Sequence, residues 1–116
     1  MDLAVTLRGE GRISVVPGNG DGTFGTPVEL NIGFQPVEAL CVDINGDDLL
    51  DIACTFSSIG GVAVRIANDD GTFQDAVFFL TDTNTYAATA ADFNQDGGLD
   101  LATAESGGAV SVLLAR

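Results

Sequence analysis

The chain has 116 residues, 46% of them hydrophobic, enough for one domain whose core buries roughly two-thirds of the unfolded chain's surface, which excludes disorder. Its net charge of −13, from seventeen acids against four arginines and no lysine, argues against nucleic acid and anionic membrane surfaces as partners and for bound cations. No apolar run approaches the ~18 residues of a transmembrane helix, so membrane insertion is not expected; the N-terminus lacks the basic-then-apolar pattern of a secretory leader, so any export signal would lie outside this chain.

In chain order, short segments rich in β-branched residues and bounded by Gly, Asn and Asp predict strands throughout, and no segment holds a helical period. Strands are expected near residues 3–7 and 12–17, joined by the glycine-bearing hairpin Gly9-Glu-Gly11. After the link Gly18-Asn-Gly-Asp-Gly-Thr-Phe24 come strands near 26–31 and 36–42. The first Asp-rich loop, Asp43-Ile-Asn-Gly-Asp-Asp-Leu-Leu-Asp51, leads into strands near 51–56, 61–67, 76–82 and 86–91. A second loop, Asp92-Phe-Asn-Gln-Asp-Gly-Gly-Leu-Asp100, precedes strands near 100–105 and 109–115, with Gly107-Gly108 between them.

The two loops lie 49 residues apart, and the same offset aligns Gly-Thr-Phe24 with Gly-Thr-Phe73 and Asn19 with Asn68. Asp2-Leu-Ala-Val likewise matches Asp51-Ile-Ala-Cys and Asp100-Leu-Ala-Thr. Four strands in each 49-residue unit match a propeller blade. The expected fold is therefore all-β, with about two and a half four-stranded blades in an incomplete ring. Residues 1–116 form a single repeat domain: 2–50 carry a partial first blade and the inner strand of the second, 51–99 the rest of the second and the inner strand of the third, and 100–116 a partial third. Such an arc exposes apolar faces and strand edges, so the expected partners are further copies, in a ring or an open array, or further blades.

In each loop, side-chain oxygens fall at the first, third, fifth and ninth positions: Asp43, Asn45, Asp47 and Asp51, then Asp92, Asn94, Asp96 and Asp100. A short loop so spaced wraps carboxylates around a hard divalent cation, and six of the thirteen aspartates sit at these positions, where they would repel one another without it. The expected cofactor is Ca²⁺ at two sites. The second loop has Gly97 after its third ligand, where the first has Asp48, a residue that tolerates the left-handed region better than most and could add a ligand or only charge.

The unit Asp-x-Asn-x-Asp-x-x-x-Asp-Leu/Ile-Ala, then Val-x-Val, then Asp-Gly-Thr-Phe, resembles the FG-GAP or VCBS-type repeat of integrin-α-like β-propellers over essentially the whole chain. The resemblance implies that each loop joins the innermost strand of a blade to the second. It also implies that the backbone carbonyls of Leu49 and Gly98 join the two ligand sets. It further implies an extracellular or cell-surface module for adhesion, ligand binding or scaffolding, binding a protein or glycan through the loops of one face. The sequence does not name that ligand, and those loops are short and carry no aromatic or basic cluster.

Other features have plainer readings. Phe24 and Phe73 are expected to plug between blades, and Phe34, Phe56 and Tyr86 to pack in the core or between blades. Asp21, Asp69 and Asp70 read as turn residues. Cys41 and Cys54 are expected to be buried free thiols on opposite strand faces, because a hairpin centred on Asp47 sets residue 41 against 53. An enzyme is not expected. The chain has no histidine, and Ser14, Ser57, Ser58, Ser106 and Ser111 lie in no nucleophile motif. Glu10, Glu29, Glu38 and Glu105 do not recur in register as a carboxylate pair for glycan cleavage would. The alternatives to a calcium-binding module are a structural protomer of a fibre or surface assembly and, less favoured, a carbohydrate-active propeller enzyme.

Overall fold

The structure, a computed structural model, describes residues 2–57, 59–81 and 83–114. Ten strands follow in chain order: β1 (Leu3–Leu7), β2 (Arg12–Val16), β3 (Val28–Asn31), β4 (Pro36–Val42), β5 (Asp51–Phe56), β6 (Gly61–Arg65), β7 (Val77–Leu80), β8 (Thr85–Ala91), β9 (Asp100–Glu105) and β10 (Val110–Leu113). Every expected strand is present: four have the expected bounds, five are trimmed at the ends, and β8 starts one residue earlier. The expected strand residues 82 and 115, and Ser58, lie outside the described residues.

The strands form three antiparallel sheets: sheet I (β1-β2-β3), sheet II (β4-β5-β6-β7) and sheet III (β8-β9-β10). Sheet II is a complete four-stranded blade. Sheet I corresponds to the second to fourth strands of a blade and sheet III to the first to third, so the protein is all-β and built of propeller blades in an arc.

The cores lie between sheets. Ile13, Leu30, Ile32, Ile52, Cys54, Phe56 and Ala63 are buried between sheets I and II, and Ala53, Val62, Val64 and Leu101 between sheets II and III. Strand alternation sends Ile52, Cys54 and Phe56 to one core and Ala53 to the other. All six residues of β5 are buried, which is why Asp51-Ile-Ala-Cys-Thr-Phe56 shows no apolar–polar alternation. Strands β1 and β10 have a neighbouring sheet on one side only, and they alternate in exposure instead.

The inner strands share a device that the sequence did not announce. Both β4 and β8 carry an irregularity one residue past their start, between Pro36 and Glu38 and between Thr85 and Ala87. The hydroxyl of Thr55 accepts the Glu38 amide at 3.1 Å and donates to the Tyr86 carbonyl at 3.4 Å, while Thr6, one repeat earlier, donates to the Val37 carbonyl at 3.5 Å. A threonine on the second strand of one blade thus reaches the irregular carbonyl of the next blade's inner strand. The Gly60-Gly61 turn ahead of β6 is equally constrained: a Cβ on Gly61 would lie 2.5 Å from the Phe79 carbonyl oxygen and 2.6 Å from Phe56 Cζ.

Two expectations are corrected. Both cysteines are free, but Cys41 is exposed and only Cys54 is buried. Cys41 pairs with Ile52, and Ala39 with Cys54, so both cysteine side chains project to the same face of the sheet. The loop closes between Val42 and Asp51, about the Gly46–Asp47 peptide rather than about Asp47, and a shift of one residue exchanges faces. Burial raises the Cys54 thiol to about 12, with a hydrogen bond from the Val37 amide opposing it. Among the aromatics, Phe56 is fully buried and stacks on Phe34 at 4.8 Å between ring centroids, but Tyr86 is 48% exposed and packs no core. Phe73 packs against the core between sheets I and II, while Phe24 is 50% exposed on the outer side of sheet I.

Candidate metal centre

Each Asp-rich loop follows the inner strand of a blade and ends at the first residue of the second strand, so hairpin pairing fixes both ends of the loop. Between them the loop folds around its own carboxylates. In the first loop, Asp43 Oδ1 accepts the amides of Gly46 at 2.8 Å and Asp47 at 3.1 Å, and its Oδ2 accepts the Asp48 amide at 2.8 Å. Asn45 Oδ1 accepts the Asp47 amide at 3.3 Å, and Asp47 Oδ1 accepts the Leu49 amide at 3.0 Å. These side-chain-to-backbone bonds are why Asp and Asn hold tight loops.

The ninth residue does something different. Asp51 is fully buried; its Oδ2 accepts the Ile44 amide and its Oδ1 the Ala67 amide, both at 2.8 Å. It therefore ties the start of the loop to the chain leaving β6. One repeat earlier, Asp2 accepts the Gly18 amide at 2.9 Å; one repeat later, the buried Asp100 accepts the Phe93 amide at 3.0 Å. The position read as a metal ligand also locks the blade.

The second loop repeats the ladder. Asp92 Oδ1 accepts the Asp96 amide at 3.0 Å and Oδ2 the Gly97 amide at 2.9 Å, while Asp96 Oδ1 accepts the Gly98 amide at 2.9 Å. Asn94 Oδ1 accepts the Asp96 amide at 3.3 Å. Left-handed backbone occurs at the fourth and sixth loop positions of both: Gly46 and Asp48 in the first, Gln95 and Gly97 in the second. Asp48 takes that conformation as its sequence position suggests, whereas nothing in the sequence marks Gln95.

Carboxylate oxygens of Asp43, Asp47 and Asp51 lie within 4.8 Å of one another, the one such acidic trio among the described residues. Asp43 Oδ1 already accepts two amides, but Asp43 Oδ2, Asp47 Oδ1 and both Asp51 oxygens accept one each and keep a second lone pair, so the donor set fits a hard cation such as Ca²⁺, with Asn45 and the Leu49 carbonyl as neighbouring oxygens. Desolvation raises the Asp43 carboxyl, but the amides of Asp48, Asp47 and Gly46 outweigh it and hold the group below its usual range. The two loops also face each other across a crevice of about 380 Å³ bounded by Asp43–Gly46 and Asp96–Leu99.

Several of the acids outside the loops have structural partners. Asp21 and Asp70 are lowered by the Thr23 and Thr72 hydroxyls and then by the amides of the same residues, the chemistry of their turns. Glu105 is buried and accepts hydrogen bonds from the hydroxyls of Thr103 at 2.9 Å and Thr83 at 3.2 Å. No described helix is long and apolar enough to cross a membrane.

A family model described as an FG-GAP-like repeat matches residues 1–54 and again 43–103. The chain belongs to the FG-GAP-like repeat family. The doubled match overlaps on the first Asp-rich loop, in keeping with the repeat itself. Searches of curated proteins and of solved structures returned no match.

Proposed function

We propose that the chain is a calcium-binding, non-catalytic propeller module of the extracellular space, serving ligand binding, adhesion or scaffolding. Each loop holds one Ca²⁺: Asp43, Asn45, Asp47, Asp51 and the Leu49 carbonyl at the first site, and Asp92, Asn94, Asp96, Asp100 and the Gly98 carbonyl at the second. The observation that carries this reading is the convergence of three carboxylates within 4.8 Å in the first loop, in a chain of net charge −13. Like charges at that separation repel, and a divalent cation removes the repulsion.

Extracellular calcium modules bind with dissociation constants of roughly 10⁻⁴ to 10⁻³ M. At about ten times that concentration each site stabilises the fold by about 1.4 kcal/mol. Thermal unfolding followed in EDTA, calcium and magnesium tests the reading: calcium raises the melting temperature clearly and magnesium little, because the smaller ion resists dehydration. A melting curve identical in EDTA and in millimolar calcium would falsify it.

A further inference from the structure

The outermost strands of sheets I and II have opposite characters. The repeat places Val28, Glu29, Leu30 and Asn31 of β3 where β7 has Val77, Phe78, Phe79 and Leu80. The β3 edge is blunted twice. Glu29 accepts a 2.7 Å hydrogen bond from Arg12, which holds charge on the strand, and Arg65 reaches over from sheet II to donate to the Asn31 carbonyl at 3.1 Å. Charged side chains along an edge discourage a further strand. The β7 edge has neither device: Phe78 stands in place of Glu29, and Leu113, which pairs with Leu101 as Arg65 pairs with Ile52, stands in place of Arg65.

All four residues of β7 are exposed, and among the described residues the strand pairs with β6 alone. In an antiparallel pair alternate residues turn their amide and carbonyl to the neighbour, and the residues between turn theirs outward. Two residues of β7 therefore offer backbone donors and acceptors beside an apolar surface. Sheet I supplies its own outermost strand on the Phe78 side, where Phe78 meets Phe34 edge-on at 5.3 Å and Phe56 at 6.1 Å. Even so, Phe78 is 41% exposed and Leu80, on the same face, 66%.

The local charges define the strand that fits. Asp69, Asp70 and Asp75 are exposed just ahead of β7, and Asp82 follows the run in the sequence. Arg65, on the neighbouring strand, is engaged by the Gln74 and Asn31 carbonyls. A second copy of this strand would bring acids against acids, whereas Lys or Arg at both ends of an incoming strand would complement them.

We propose that the outer edge of β7 receives an extended segment of a partner protein, apolar at its centre and basic at both ends, as a fifth strand of sheet II. Main-chain bonds to β7 hold the segment, its apolar side chains cover Phe78 and Leu80, and its basic ends meet the acids that flank the run. The proposal rests on the reading of the chain as a ligand-binding module and names the partner. It uses neither Asp-rich loop, so the calcium-dependent melt and the binding of this segment fail separately.

The probe is a fluorescein-labelled peptide, Lys-Lys-Thr-Val-Thr-Val-Thr-Lys-Lys, titrated with the full chain in calcium and followed by anisotropy. Saturable binding is expected, together with slowed hydrogen exchange at alternate amides of β7. Glu in place of every Lys of the peptide should weaken binding about tenfold or more, as should Pro in place of its central valine, because proline cannot donate to the ladder. Leu80→Lys sets a charge on the exposed edge and should weaken binding about tenfold, with the circular-dichroism signal and melting temperature unchanged. Should that variant lose its fold, Leu80→Asn, which restores the residue of the β3 edge, takes its place. No saturation up to millimolar chain overturns the proposal, as does equal binding of the proline peptide, which means contact without strand addition. Equal binding of the Glu-ended peptide overturns the basic partner, and undiminished binding to the Leu80 variant overturns the β7 edge as the site. A doubled mass in light scattering without peptide, abolished by Leu80→Lys, gives the edge to a second copy and overturns the proposal as well.

Discussion

The loops at residues 43–51 and 92–100 build one ladder of amide-to-carboxylate bonds from different local sequences. Both need left-handed backbone at the fourth and sixth positions. The first supplies Gly46 and Asp48, with φ of 77° and 67°; the second supplies Gln95 and Gly97, with φ of 61° and 89°. Each loop thus has one residue without a Cβ and one that bears the steric cost, and they exchange places. Conformation here is set by where carboxylates capture amides, and glycine is a convenience at whichever position has it. The loops also differ in result, since only the first gathers its three aspartates within 4.8 Å among the described residues.

The two loops are most vulnerable at the ninth position. Asp51→Ala leaves the Ile44 and Ala67 amides without their acceptor, and each unsatisfied buried donor costs about 1–3 kcal/mol. A loss of roughly 3 kcal/mol is expected in urea titrations even in EDTA. Asp47→Ala, whose acceptor role lies at the exposed rim, should cost much less in EDTA yet remove the first loop's share of the calcium response. Equal losses for the two variants would reduce Asp51 to a ligand and nothing more.

Calcium itself gives the next largest effect. Asp43→Asn and Asp92→Asn each remove one site, so each should lower the calcium-induced stabilisation by about 1.4 kcal/mol at ten times the dissociation constant. Isothermal titration should show that Asp43→Asn removes the tighter step, because the first loop's carboxylates are already gathered. Loss of the tighter step in Asp92→Asn instead would reverse the ranking of the two loops.

The loops were legible from sequence because Asp, Asn and Gly recur at fixed spacing, and the ten strands because β-branched runs recur in the same 49-residue unit. Register was less legible. Whether a nine-residue motif closes about a residue or about a peptide bond is not written in its composition, and that one-residue uncertainty put Cys41 and Cys54 on opposite faces when they share one. Phe24, expected between blades, and Tyr86, expected in the core or between blades, are both about half exposed. Phe24 lies on the outer side of sheet I, and Tyr86 sits at the irregularity of β8, where it is 48% exposed. The bond from Asp51 to Ala67 has a trace in the sequence: Asp2 and Gly18, and Asp51 and Ala67, keep the same 49-residue offset. Gln95 had none, since glutamine carries no preference for left-handed backbone.

Gln95 and Asp48 separate the two loops at a finer scale. The left-handed conformation costs an ordinary L-residue about 1–2 kcal/mol, less for Asp, and glycine regains it at some expense in unfolded-state entropy. Gln95→Gly is expected to stabilise the protein by about 1 kcal/mol and Asp48→Gly by a few tenths, both measured as shifts in the urea midpoint in EDTA. A larger gain at Asp48 would mean that carboxylate repulsion, and not backbone strain, is the heavier cost in the first loop.

Acid sensitivity in the first loop is weaker still. Desolvation raises the Asp43 carboxyl, but the amides of Asp48, Asp47 and Gly46 hold it below the ordinary 3.8. The folded chain then binds a proton at Asp43 less readily than the unfolded chain does. Linkage gives the sign: the stabilisation is fully present above 3.8 and is lost as pH falls through the lower folded value. In EDTA, the wild-type urea midpoint should therefore fall more steeply below pH 3.8 than that of Asp43→Asn, which has no proton to bind. Parallel acid profiles would show that the three amides hold the loop no better when Asp43 is charged than when it is neutral, leaving shape alone as their contribution.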